Sequence, residues 1–199
     1  TDNASDKIAK LVVNGIEQIQ ETTLCDSENF FMTKSTNNTP MSIDLIKGLI
    51  LEKKVHLDKT PSELLNCKVA LINGELGFRK PIRDSEIEIN SPDELSNFIE
   101  SEEKEIESLS QKLIELKVNA VFSSGEINKE ILHNLLSKNI FALGGLDTQD
   151  LENIAKASQG NIYPRIIDVS EDELGLIGVL KTETVSKNGE SKQRIFIDK

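Results

Sequence analysis

The sequence predicts an α/β fold in which a strand-helix-strand-helix unit is joined to a set of antiparallel strands. Three observations predict it. Asn119–Gly160 reads NAVFSSG, NKEILHNLLSKN, IFALGG and DTQDLENIAKASQG, the alternation that gives parallel pairing. Segments on both sides are dense in branched aliphatics and bounded by Pro, Asn or Gly, which is strand texture. Between them lies Ser91–Leu116, SPDELSNFIESEEKEIESLSQKLIEL, a helix too long for the core of a domain this size.

The first element is a helix over Asp6–Gln20, because Ile8, Leu11, Val12, Gly15, Ile16 and Ile19 recur at three- and four-residue steps. The polar stretch after it carries one short strand, Phe30–Lys34, and is the best domain boundary. Strands follow in LIKGLILEKKVHL, CKVALINGELGF and SEIEIN, the last alternating strictly, so that one face is wet. The long helix starts with Ser91 as N-cap, Pro92 at its first position and Glu94 closing a capping box. Leu95, Phe98 and Ile99 form one apolar patch on it; Ile106, Leu109, Leu113, Ile114 and Leu116 form another. Glu100–Glu105 between them holds only Ser, Glu and Lys, a turn with no core to face, so either part of this helix projects or it is a surface helix with a locally weak stripe. After the alternating unit, LGLIGVLKTETVS and KQRIFID form a hairpin through Lys187-Asn188-Gly189, and these antiparallel pieces suggest a second sheet packed on the first.

Composition narrows the function classes. A net charge of −11 supplies no basic face for phosphates, which argues against nucleic acid, and no run approaches a membrane span. Cys25 and Cys67 lack metal-ligand spacing and read as free thiols of a reducing cytoplasm. His56 and His133 stand apart from carboxylate clusters, and no nucleophile motif occurs, so nothing reads as an active site. Glu100, Glu102, Glu103, Glu105 and Glu107 ring a helix and do not converge into a metal cage. Phe141–Asp147, FALGGLD, has the layout of a phosphate cradle, which leaves open a small α/β ligand-binding or enzymatic module built on Gly144-Gly145. It lacks GxGxxG, and Asp147 with Asp150 opening the next helix would repel an anion; the plainer reading is a tight turn with Asp147 as N-cap and Asp150 as its box partner.

The collinear run LIKGLILEKKVH, PSELLNCKVALINGEL and INSPDELSNFIESEEKEIESLSQKLIELKVNAVFSSGEINKEILHNLLSKNIFALGGLDTQDLENIAKASQGNI resembles the group II chaperonins, the archaeal thermosome and its eukaryotic cytosolic relatives. DKIAKLVVNGI looks like that family's intermediate-domain helix. The resemblance implies a partial α+β intermediate, or hinge, domain over 1–45 and an apical substrate-binding domain over 46–199. The latter would be a β/β/α sandwich with a helical protrusion at about 82–107 that serves as a built-in lid. It implies Phe98, Ile99 and Ile106 as an exposed apolar tip, and a polypeptide-binding groove along Asp147–Ser158. Periodicity selects Gln149, Glu152, Asn153 and Lys156 as the face of that helix opposite Leu151, Ile154 and Ala155. Implied partners are unfolded polypeptides and other chaperonin subunits in a double ring, in the cytoplasm, without nucleic acid or membrane. The family's ATP site, with its GDGTT loop, matches nothing here, so the resemblance implies no enzyme activity and no cofactor for this chain, with ATP and magnesium belonging to the full-length subunit. One departure stands out: Gly144-Gly145-Leu146-Asp147 replaces a run of Arg and Lys common in the family, which alters client preference.

Overall fold

The computed structural model describes residues 2–20, 45–46, 48–53, 61–77, 92–187 and 190–198. The strand expected at Phe30–Lys34, the strand SEIEIN, the cap Ser91, Cys25 and His56 lie outside these residues.

The elements, in order, are α1 (Asp2–Gln20), β1 (Gly48–Lys53), β2 (Glu63–Ile72), α2 (Pro92–Glu115), β3 (Ala120–Ser123), α3 (Lys129–Ser137), β4 (Phe141–Leu143), α4 (Thr148–Ser158), β5 (Ile162–Tyr163), β6 (Gly175–Lys187) and β7 (Glu190–Asp198). The strands form one mixed sheet ordered β1-β7-β6-β2-β3-β4, with β5 also pairing β2. β2, β3 and β4 are mutually parallel, and β6 joins β2 and β7 by antiparallel ladders. Winding runs from β2 outward to β4 and then reverses to β5, so the connecting helices fall on opposite faces.

Strand alternation assigns the two faces. Cys67, Val69, Leu71, Phe122, Phe141 and Leu143 join Leu151 and Ile154 of α4 in one core cluster, which extends to Leu49, Leu51, Ile195 and Ile197. Ala70, Ile72, Val121 and Ala142 point the other way and pack with Ile106 and Leu113 of α2, Leu116 just after it, and Ile131 and Leu135 of α3. Buried in this way, the Cys67 thiol has its pKa raised by desolvation.

The antiparallel strands are hydrogen-bonded to the parallel ones and do not form a detached second sheet. The reason is the 13-residue length of β6, which pairs β2 through Gly175–Lys181 and β7 through Val179–Lys187. The inward set also changes phase along these strands. Leu64 and Cys67 of β2 both face the α4 core, three residues apart, as do their partners Leu180 and Ile177. Asn66, between them, has φ 51°, and such a break in alternation is how a strand turns a corner. Leu65 and Leu176 are consequently left exposed.

Each helix following a parallel strand stops on a left-handed residue: Lys117 after α2, Asn139 after α3 and Gln159 after α4. Val118 N–H reaches Leu113 O at 3.4 Å and Ile140 N–H reaches Leu135 O at 2.9 Å, satisfying the last carbonyls as the chain turns into β3 and β4. At the other end of α3, Asn128 Oδ1 caps the helix by accepting from Glu130 N–H at 2.8 Å.

Candidate functional site

α4 lies over the middle of the sheet and packs on β1, β2, β5, β6 and β7. Leu151 and Ile154 are fully buried beneath it. Gln149, Glu152 and Lys156, at steps of three and four, form an exposed line on its outer side. Asn153 does not join that line: it is 8% exposed, and its Oδ1 accepts from Gln149 Nε2 at 3.4 Å. With strands from both halves of the sheet beneath it, the helix buries a face wider than Leu151, Ile154 and Ala155 alone, and Asn153 falls inside it.

The start of α4 is held by a residue 94 positions away. Lys53 Nζ, at the end of β1, lies 3.1 Å from Asp147 Oδ2 and 2.9 Å from Asp150 Oδ2. Partial burial works against the Lys53 charge, but Asp150 and Asp147 outweigh it and hold its pKa above the ordinary lysine value. The carboxylates are thus used on Lys53: Asp147 sits at the N-cap without a side-chain capping bond. The capping box expected of Asp147 and Asp150 is replaced by ion pairs from both to a strand lysine. No local pattern marks Lys53 as their centre.

The Gly144-Gly145 turn is occupied by the chain itself. Gly145 N–H donates to Gly125 O at 2.9 Å and Leu146 N–H to Ser123 O at 3.1 Å. A Cβ at Gly144 would lie 2.8 Å from Gly125 O and 2.9 Å from the Ile127 side chain. The Gly145 and Leu146 donors are thus spent within the protein, and the space beside Gly144 is filled, which works against a phosphate cradle here.

α2 is half anchored. Ile106, Ser110, Leu113 and Leu116 are buried, whereas Leu95 and Ile99 are 44% and 46% exposed and Phe98 is half-buried. Five of the six positions Glu100–Glu105 are exposed, so the polar turn does face solvent. Ile106, expected at the exposed tip with Phe98 and Ile99, instead opens the buried stripe at 8% exposure. It lies seven residues after Ile99 and three before Leu109, on the side that meets the sheet.

On α1, Ile8, Val12, Val13 and Ile16 are exposed, whereas Leu11 is half-buried and Gly15 buried. Among those residues no three His, Cys, Asp or Glu side chains gather as a metal-binding group, and no helix is long and apolar enough to cross a membrane. His133 lies exposed on α3.

A family profile described as the TCP-1/cpn60 chaperonin family matches residues 1–196. The chain belongs to that family. This chaperonin chain is 25% identical to thermosome subunit 1 of Haloferax volcanii over 197 residues, covering 99% of this chain and 34% of the relative. It is 31% identical to a thermosome subunit of Pyrococcus horikoshii over 195 residues, covering 96% and 35%. Its fold matches an open-state monomer of a group II chaperonin from Methanococcoides burtonii with a TM-score of 0.58 at 17% identity, covering 78% of this chain and 31% of that one. The chain therefore spans about a third of the length of these relatives.

Proposed function

We propose that this chain is the substrate-binding and lid-forming part of a group II chaperonin subunit, which holds non-native polypeptide for ATP-dependent folding in a ring chamber. Residues 46–199 are the apical domain in this reading, 82–107 its protrusion, and 1–45 part of the hinge domain. The observation that carries it is the exposed line Gln149, Glu152 and Lys156 on a helix seated on one face of the sheet, together with a long helix on the other face whose outer half leaves Leu95 and Ile99 in solvent. A rigid platform with an open polar and apolar surface suits a ligand without fixed shape. Asn153 acts in this groove through its bond to Gln149, as a positioning residue.

ATP and magnesium belong, on this reading, to the rest of the subunit, and binding by these 199 residues needs neither. The partners are unfolded polypeptides and neighbouring subunits of a double ring, in the cytoplasm. With Gly144-Gly145-Leu146-Asp147 in place of the run of Arg and Lys common in the family, the client surface is less cationic than usual for it.

The test is suppression of aggregation of chemically denatured citrate synthase by the 199-residue chain. The chain should suppress it, and the triple variant Gln149→Ala, Glu152→Ala, Lys156→Ala should lose that ability while keeping its melting temperature. No suppression by the unaltered chain, together with tight nucleotide binding, would sink the proposal.

A further inference from the structure

The polypeptide-binding reading puts the client on α4 and the lid on α2, which pack on opposite faces of the sheet. One stretch of chain reaches both. β2 carries two strands end to end along one edge: β6 pairs with it up to Val69–Gly175, and β5 takes over at Leu71–Ile162. Residues 164–174 thus leave and rejoin that edge between Leu71 and Val69, which makes them an Ω-loop, a surface loop with neighbouring ends.

The stem of this loop is fitted to the end of α4. Ser158, the last residue of that helix, is buried, and its Oγ accepts from Gly160 N–H at 3.3 Å. A Cβ on Gly175 would lie 2.5 Å from Ser158 Oγ, and one on Gly160 would lie 2.7 Å from Gly175 Cα, so the two glycines let the backbones touch. The head of the loop sits on the other face. Ile166 and Val169 are buried in the cluster that holds Ile106 and Leu113 of α2, and the helical turn Ile166–Asp168 packs directly on α2. Two internal ties stiffen it: Arg165 donates to both carboxylate oxygens of Asp168 at 2.9 Å, and Ser170 Oγ donates to Glu173 Oε2 at 2.5 Å. Lys68 Nζ fastens it to β2 by donating to Glu171 Oε1 at 2.7 Å.

We propose that the loop Pro164–Leu174 couples the end of α4 to the seat of α2, so that a displacement of α4 moves the half-projecting helix on the far face. Its use as a signal from client to lid rests on the polypeptide-binding reading; the coupling itself does not. A close-packed stem and a tied middle leave the loop little slack, and packed groups pass on a displacement that a loose chain would absorb.

Gly175→Ala sets a Cβ against Ser158 Oγ and so displaces the stem with no polypeptide present. In residue-resolved amide hydrogen exchange, the α2 amides from Ile106 to Glu115 should exchange about threefold faster or more, those of α3 should keep their rates, and adding Ser158→Gly should restore the original pattern. Ser158→Gly alone, which loosens the same stem, should show the same selectivity and serves where the alanine variant does not fold. Equal acceleration in α2 and α3 is a general loss of stability, and acceleration confined to α4, β5 and β6 is a local one; either overturns the coupling. The unaltered chain with reduced, carboxymethylated lactalbumin, which stays unfolded, tests the signal: α4 should gain protection, and the same α2 amides should change rate by about threefold or more. Protection of α4 with α2 unchanged overturns the signal and leaves polypeptide binding intact. No binding removes that reading and the signal with it, while the variants still decide the coupling.

Discussion

Ile99 and Ile106 are the same residue type on one helix, and their surroundings make them opposites. Ile106 packs among Leu113, Val121 and Ile131 in the core between α2, α3 and the sheet, whereas Ile99 is nearly half exposed. Ile106→Ala should therefore cost about 2–4 kcal/mol of stability, and Ile99→Ser less than about 0.5 kcal/mol, measured by urea denaturation. Equal costs would show that the stripe does not begin at Ile106. Periodicity could find both residues, since they stand on a regular apolar pattern. It could not say where along the helix the core begins, because that depends on the reach of α3 and β3, which are distant in sequence. Asn153 failed for a similar reason: three-residue spacing gives the centre of a buried face, and the number of strands underneath gives its width.

At the scale of elements, the helices and strands of the parallel unit were legible because each is short, periodic and closed by turn residues. The joining of the antiparallel strands to that unit was not, since one of the two partners of β6, β2, lies more than a hundred residues away. Lys53 belongs here too, as the tie between β1 and α4. Asp147 is 80% exposed at its side chain and Asp150 only 27%, so Asp150 supplies most of the interaction. Lys53→Met should lower stability by about 0.5–1 kcal/mol, and Asp150→Asn should give most of the same loss where Asp147→Asn gives little. Denaturation midpoints of the three variants check this; equal losses from the two aspartates would contradict the assignment.

For the molecule as a whole, acid should act first on the segment between β5 and β6. Lys68 Nζ donates to Glu171 Oε1 at 2.7 Å, and that bond holds the Glu171 carboxyl below its ordinary value of 4.5. Ser170 first, and Tyr163 with it, lower Glu173 in the same way. Groups with depressed folded-state values stabilise the fold above the unfolded value and lose that contribution as pH falls through the folded one. Melting temperature should hold down to about pH 4.5 and then fall, and a Glu171→Gln, Glu173→Gln variant should fall less steeply below that point. An equally steep decline in the variant would assign acid sensitivity to other carboxylates.

The half-anchored α2 has a mechanical consequence at this same scale. From Ile106, where burial begins, to Pro92 the helix runs about 21 Å without contributing a buried core residue among the described ones. It is a lever whose fulcrum is the first buried isoleucine. A tilt of about 10° in the seated half would swing the far end by about 4 Å. Small rotations of the sheet and its helices are thus amplified at the outer end, and the stiffness that transmits them comes from the hydrogen-bonded backbone of a helix whose serines, Ser96, Ser101 and Ser110, also bond back to its own carbonyls.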